Sequence, residues 1–199
     1  MSKVLPDQKP KFSHLEALNI LGAHGVKTPL AFLAIRGPRQ FLDMGVKGKN
    51  DRRLYDDVIM LVGSKIFFAI NANTDPNGFR EGHGVGGNKG MASLKEGVHL
   101  YKPGLHKGRP AFVQAEKFTV YRDADKTVPA NEIKILDGRK VYEEVGFFGI
   151  NFHDSPESST SSLGCQTAPK PQYVPFRALA VELMKQYGMK TIPYCLTRE

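Results

Sequence analysis

The chain has 199 residues, of which 41% are hydrophobic and 24% are charged. This length fits one domain with its own core, and the hydrophobic content excludes a disordered chain. Twenty Gly and 13 Pro indicate many turns and short elements, which argues against a helical bundle. The net charge of +8 suits nucleic acid, an anionic membrane surface or an anionic cell-wall polymer as partner, and is equally compatible with a role in solubility alone.

The distribution of apolar residues argues against membrane insertion and export. The apolar stretches, such as residues 66–70, are all too short to span a bilayer. The N-terminal residues contain no apolar run of the kind found in a signal peptide, so we expect synthesis in the cytoplasm without an export signal. The two cysteines, Cys165 and Cys195, are too few for a disulfide framework.

The first predicted element is a helix over residues 14–23. Ser13 and Glu16 have the spacing of a capping box, which marks the start of a helix. The face expected to be buried carries Leu15, Ala17, Leu18 and Leu21. Residues 1–12 are predicted to form a loose arm, and residues 13–199 a single domain.

Short apolar segments bounded by Gly, Pro and Asp predict strands through most of the remaining chain. These segments are residues 31–35, 66–71, 92–101, 111–114, 118–122, 146–153 and 191–196. Residues 53–62 are predicted to be extended or mixed, and the glycine-rich residues 72–90 to be irregular. A second helix is predicted over residues 173–187, with Gly188 as its stop. The expected fold class is therefore α+β and β-dominated, a sandwich or barrel-like sheet with a few short flanking helices.

The chemistry is concentrated in residues 149–167, GINFHDSPESSTSSLGCQT. A strand-like run reaches His153, a serine-rich loop follows, and Gly164 precedes Cys165. A thiol attacks as its thiolate, and a nearby imidazole is the usual means of generating it. The loop can return Cys165 to His153, and Gly164 permits a tight turn that would leave the amides of both Gly164 and Cys165 free for an oxyanion. Cys195 has no neighbouring His and is interpreted as structural.

This stretch resembles the catalytic domain of the L,D-transpeptidases, in which a His at a strand end is followed by a loop and Ser-His-Gly-Cys. His153 matches the family's general base, and Ser162, Gly164 and Cys165 match its Ser, Gly and nucleophile. The resemblance spans residues 90–170. More specifically, residues 149–167 resemble a phage-encoded branch with the pattern Gly-x-Asn-x-His, then Ser-Thr-Ser-x-x-Gly-Cys-Gln-Thr.

The resemblance implies an L,D-transpeptidase-like fold and a cysteine enzyme without a metal or cofactor that acts on the stem peptides of bacterial peptidoglycan. The family orients its base through a backbone carbonyl. Leu163 stands where the family has a second His, and the loop is shorter than usual, so hydrolysis is favoured over transfer to an amine. The missing export signal favours a phage-type muralytic peptidase that reaches the cell wall on a virion or at lysis.

The site residues divide into two predicted groups. The predicted catalytic residues are Cys165, His153, Gly164 and Ser162. The residues predicted to contact substrate are Asn151, Gln166, His106, Arg122, Thr74 and Asp75. Because stem peptides carry free carboxylates, a basic cleft would suit them.

Several alternatives remain open at this point. The same cysteine could pass its acyl group to an amine acceptor, or the chain could be a non-catalytic module that binds cell wall or virion. A metal hydrolase would need His99, His106 and Asp75 to converge, although their spacing matches no known metal motif. A nucleic-acid binder is the least supported alternative, since no recognition motif is present and no nucleic-acid partner is expected.

Overall fold

The computed structural model describes residues 4–5, 12–37 and 50–198. The helices are α1 (His14–Ala23) and α2 (Lys170–Gln186), and a short 3-10 helix covers Gly86–Asn88. The strands are β1 (Leu30–Arg36), β2 (Asp57–Gly63), β3 (Ile66–Ala72), β4 (Ala92–Leu94), β5 (Gly97–His106), β6 (Arg109–Gln114), β7 (Phe118–Asp123), β8 (Lys134–Leu136), β9 (Arg139–Gly146), β10 (Phe152–Ser155), β11 (Gln166–Pro169) and β12 (Ile192–Arg198).

The larger sheet is a nearly closed barrel. Its eight strands follow the order β11-β10-β6-β5-β12-β1-β2-β3. The two ends meet where Asn73, directly after β3, forms an antiparallel bridge with Thr167 in β11. Each of these residues donates its backbone N–H to the other's carbonyl at 2.8 Å. This closure brings the segment that follows β3 to the start of β11, where Cys165 lies.

The second sheet has four strands in the order β4-β7-β9-β8. Leu94, Phe118 and Val120 from this sheet belong to the same buried cluster as the barrel interior. The two sheets therefore share one core, which agrees with the β-dominated class predicted from the sequence.

Aromatic rings fill the barrel interior. Phe32 lies at the centre, with ring centroids 4.9 Å from Phe112 and 5.5 Å from Phe176 of α2. Tyr173, also in α2, donates its hydroxyl to the carbonyl of Phe152 at 2.8 Å. Helix α2 thus packs directly behind β10 and holds in place the strand that carries His153.

Both predicted helices are present, and one detail of α1 was wrong. The capping box between Ser13 and Glu16 is formed, and α1 has the predicted bounds. Ala17 and Leu21 are buried as expected, but Leu15 and Leu18 are 68% and 37% exposed. Ala17 and Leu21 are four residues apart and therefore lie on the same face of the helix, the one that packs against the sheet. Leu15 and Leu18 lie to the sides of that face.

Helix α2 begins three residues before its predicted start, at Lys170, and ends near the predicted stop. Gly188 follows the helix with φ +65°, the left-handed conformation that a helix-ending glycine usually adopts.

The strand predictions differ from the structure in the C-terminal half. Strands β8 and β9 were not predicted, because their many polar and charged residues hide the alternation of apolar and polar positions that marks a strand. The strand predicted over residues 146–153 is interrupted, and β10 begins only at Phe152. The Gln114 side-chain carbonyl accepts the amides of Phe148 and Gly149, and Gly149 has φ +70°, so this segment is held out of the sheet.

The predicted arm over residues 1–12 is only partly within the described residues. Where it is described, the Val4 carbonyl accepts the backbone N–H of Tyr55 at 2.9 Å, and Phe12 packs against the cluster beneath α1. These two positions are therefore attached to the domain.

Candidate active site

Strand pairing brings His153 and Cys165 together. Strand β10 runs parallel to β11, with Phe152 opposite Gln166 and His153 opposite Thr167. Cys165 directly precedes β11, so the serine-rich loop returns the chain to the side of β10. The structure thus confirms that the loop is long enough for this return.

His153 is held by a backbone carbonyl. Its Nδ1 lies 2.7 Å from the carbonyl oxygen of Asp154, which is an acceptor only, so Nδ1 carries the proton and Nε2 has the free lone pair. The Asp154 side chain lies 3.8 Å from Arg109 and does not contact the ring. A backbone carbonyl therefore orients this ring, where a Ser-His-Asp triad uses an acidic side chain.

The serine-rich loop is fixed from both sides. The Tyr55 hydroxyl lies 2.8 Å from the carbonyl oxygens of Pro156 and Ser159. Thr160 donates its hydroxyl to the carbonyl of Arg52 at 3.2 Å. Since Tyr55 and Thr160 are buried, the loop is built into the domain and differs from a free linker.

Ser162 closes the turn before the cysteine. Its hydroxyl donates to the Cys165 carbonyl at 2.7 Å and accepts the Gly164 amide at 2.9 Å. The prediction of two free amides was therefore wrong for Gly164, because a nearby hydroxyl oxygen takes its N–H. Within the described part of the chain, the Cys165 N–H has no acceptor.

A side chain at position 164 would be both strained and crowded. Its φ of +155° is rare for residues with a side chain, and a Cβ would lie 2.7 Å from the carbonyl oxygen of Ala92. A Cβ would also lie 2.9 Å from the Ile150 side chain. The glycine therefore lets the turn lie against β4, and this contact sets the position of Cys165.

Both reactive groups are neutral at rest. Burial raises the pKa of the half-buried Cys165 thiol, and burial lowers the pKa of His153 below its ordinary value. The thiol donates to the Gly149 carbonyl, with the two heavy atoms 3.3 Å apart. The pair is consequently a thiol beside a neutral base, and it differs from a preformed thiolate–imidazolium pair.

A second imidazole completes the cluster. The ring of His106, at the end of β5, stacks on His153 with centroids 4.4 Å apart and planes 4° apart. One possible ligand atom from each of His106, His153 and Cys165 lies within 4.8 Å of the others. These are donor types that bind zinc. The Nδ1 of His106, however, already meets the side-chain amide nitrogen of Asn151 at 2.9 Å.

These groups open into a cavity of about 480 Å³. Its lining is basic: among the residues that the structure describes, it includes Arg80, Lys89, Lys107 and Arg122 and no Asp or Glu. Lys89 and Arg122 both pair with Glu144, which neutralises part of their charge. Within the described residues, Arg80 and Lys107 have no carboxylate partner, so the uncompensated charge in the cavity lies on them.

The residues predicted to contact substrate fall into two sets. His106 and Arg122 line the cavity, and Asn151 lies directly behind His106. Three others lie outside the cavity. The residues that line it are Asn77, Arg80, Lys89, Gly90, Ala92, His106, Lys107, Arg122, Phe148, Gly149, Ile150, His153, Ser161, Ser162, Leu163, Gly164 and Cys165. The three predicted contact residues outside the cavity are Gln166, Thr74 and Asp75, and each is fully buried.

These three polar side chains are occupied within the fold. Gln166 accepts the Tyr194 hydroxyl at 2.9 Å. Thr74 accepts a hydrogen bond from Arg36 at 2.9 Å, and Asp75 forms an ion pair with the same arginine at 3.4 Å. The convergence of His99, His106 and Asp75 in the metal alternative does not occur either, because His99 is bonded to the Lys95 carbonyl.

Sequence reasoning missed Arg80 and Lys107 as site residues. Arg80 lies in the glycine-rich segment over residues 72–90, which reaches the cavity because β3 ends beside β11. Lys107 is in the tight turn between β5 and β6, where its φ is +50°. Its position next to His106 in the sequence was the available signal.

No family model, curated protein or solved structure matches the chain. Among the described residues, no helix has the length and apolar character needed to cross a membrane.

Proposed function

We propose that this protein is a peptidoglycan-acting cysteine peptidase of the L,D-transpeptidase type, with the muralytic role of a phage enzyme. It cleaves stem-peptide bonds through a thioester on Cys165. The observation that carries the proposal is the Cys165–His153 pair: a neutral imidazole held by a backbone carbonyl, with a thiol beside it, in a cation-lined cavity. The β-dominated fold and the resemblance in residues 149–167 support the same assignment.

The neutral resting states of the Cys165 thiol and the His153 imidazole determine the first step of the reaction. The Cys165 thiol proton moves to Nε2 of His153 as the sulfur attacks the carbonyl carbon of the substrate. Burial disfavours both separated charges, so proton transfer and attack are expected to occur together. The Nδ1–H bond to the Asp154 carbonyl stabilises the imidazolium that forms.

The remaining steps return the enzyme to its starting state. The carbon–nitrogen bond breaks, and the imidazolium gives its proton to the departing amine, which leaves the acyl group on sulfur. His153 then takes a proton from water, whose oxygen attacks the thioester. The carbon–sulfur bond then breaks, the imidazolium gives its proton to the Cys165 sulfur, which is restored as a thiol, and the product leaves as a free carboxylic acid.

The charge of the cavity supports stem peptides as substrate. These peptides carry free carboxylates. Arg80 and Lys107 line the cavity and have no carboxylate partner among the residues that the structure describes, so they can bind such a group without first breaking an ion pair there. A substrate carboxylate placed here would orient the peptide across Cys165.

The test is digestion of purified peptidoglycan sacculi, with mass spectrometry of the released muropeptides. The wild-type protein is expected to release a new amine and a new carboxylate, Cys165→Ala to release neither, and Cys195→Ala to match the wild type. A muropeptide newly joined to an added amino acid would instead assign transfer to an amine. Cleavage that survives in Cys165→Ala, or binding of sacculi by the wild type without a new amine, would overturn the proposal.

A further inference from the structure

The turn before Cys165 supplies fewer oxyanion donors than the chemistry usually employs. An attacked carbonyl develops negative charge on its oxygen, and enzymes commonly stabilise it with more than one fixed N–H group. The Gly164 N–H is already bonded to the Ser162 hydroxyl. Leu163, 65% exposed at the cavity, has an aliphatic side chain with nothing to donate. A second hydrogen-bond donor, besides the Cys165 N–H, must therefore come from elsewhere in the fold.

The orientation of the Asn151 side chain is fixed by the backbone. Its Oδ1 accepts the backbone N–H of Gln114 at 3.2 Å, and a backbone N–H can only donate. The Nδ2 group must then be the end that meets His106, at 2.9 Å from its Nδ1. Because Nδ2 can only donate, Nδ1 of His106 is an acceptor.

This contact determines where His106 carries its proton. A neutral imidazole holds one proton, so an accepting Nδ1 requires an Nε2–H. Burial and the neighbouring His153 lower the pKa of His106, which keeps the ring neutral around pH 7. His153 has the opposite tautomer, with its proton on Nδ1. The two stacked rings are therefore one hydrogen-bond donor and one base.

We propose that His106 is a catalytic residue whose Nε2–H donates to the substrate carbonyl oxygen as it becomes an oxyanion. This inference rests on the proposed function. His106 lines the cavity, and one of its ring nitrogens lies within 4.8 Å of the Cys165 sulfur, within reach of an oxygen bonded to the attacked carbon. His106 thus supplies the donor that Leu163 cannot.

The same tautomer disfavours His106 as a metal ligand. Coordination through Nε2 would require the ring proton to move to Nδ1, where the Asn151 amide hydrogens already point. Two donors would then face each other, unless Asn151 gave up its bond to the Gln114 amide.

The test separates the donor from the shape of the ring. His106→Phe keeps a flat ring against His153 but removes the N–H, and His106→Gln keeps a donor. On soluble muropeptides, His106→Phe is expected to lower kcat by about 10²–10³-fold with little change in KM, as loss of one oxyanion donor does elsewhere. His106→Gln should recover part of kcat. Equal loss in both variants, or unchanged kcat in His106→Phe, would overturn the inference.

The tautomer has its own readout, independent of activity. A ¹⁵N–¹H NMR spectrum of the histidine rings is expected to show the His106 proton on Nε2, and Asn151→Leu should allow the other tautomer to appear. A proton on Nδ1 in the wild type would contradict the assignment.

The two proposals fail differently. Cleavage by Cys165→Ala would remove the proposed function itself. Full kcat in His106→Phe, with Cys165→Ala inactive, would remove only the role of His106. Asn77 also lines the cavity, and a large fall of kcat in Asn77→Ala with none in His106→Phe would assign the donor to Asn77 instead.

Discussion

Cys165 and Cys195 lie in contrasting surroundings. Cys195 is fully buried in β12, opposite Leu33 and Val98, in the apolar cluster beneath α1. Cys165 is half-buried at the start of β11, with its thiol on the Gly149 carbonyl and an imidazole nearby. The Cys195 thiol lies in a cluster of apolar side chains, whereas the Cys165 thiol lies beside an imidazole in a cavity lined by Arg and Lys.

The comparison shows that a lowered pKa is not what distinguishes the candidate nucleophile. Burial raises the pKa of Cys195 to about 11, and burial also raises the pKa of Cys165. Both are thiols at neutral pH. The difference between them is access to the cavity and a base at hand, and the following predictions test these two features.

Removing the base should have the largest effect. His153→Gln leaves the Cys165 thiol in the cavity without a group to take its proton, so kcat is expected to fall by about 10³-fold or more. His24→Gln, at an exposed histidine after α1, is the matched control and should keep wild-type kcat. Steady-state kinetics on muropeptides measures both, and substantial activity in His153→Gln would show that another group acts as base.

Alkylation should separate the two thiols next. With iodoacetamide under native conditions, Cys165 is expected to react at least about a hundredfold faster than Cys195, because Cys195 reacts only when the surrounding core opens. Peptide mass spectrometry over a time course gives the two rates. In denaturant the rates should converge, and comparable rates in the native protein would contradict the structural role of Cys195.

The turn that places Cys165 should be sensitive to a single methyl group. Gly164→Ala forces a Cβ against the Ala92 carbonyl at an unfavourable φ, with an expected cost of about 1–3 kcal/mol in the free energy of unfolding. Gly188→Ala is the control with positive φ and open space around the Cβ, and about 1 kcal/mol is expected. Urea unfolding compares them, and an equal cost would show that the contact with β4 is unimportant.

The pH dependence should show the smallest effect. Since burial raises the pKa of Cys165, less thiolate is present at a given pH, and its alkylation rate should keep rising above the pH at which an exposed thiol reaches its plateau. Since burial lowers the pKa of His153 below 6.5, kcat/KM should fall only at pH values below that. Fast alkylation of Cys165 in acid would instead indicate a thiolate–imidazolium pair.

Much of the site could be predicted where its parts are close in the sequence. His153 and Cys165 are joined by one loop, so their pairing needs only a return of the chain, and the capping box of α1 is equally local. Polar residues whose partners are distant gave misleading signals. Gln166 and Asp75 were expected near substrate, but the fold buries them against Tyr194 and Arg36.

By itself, the sequence determined the β-rich class, the two helices and the pairing of His153 with Cys165, because these follow from periodicity, capping and a short loop. Only the tertiary structure decided which cations line the cavity and which proton His106 holds. Arg80 reaches the site through closure of the barrel, and His106 through the register of β5 and β6. Its tautomer depends on an amide whose orientation is set by the Gln114 backbone. These are contacts between distant segments, which strand register creates and local sequence does not encode.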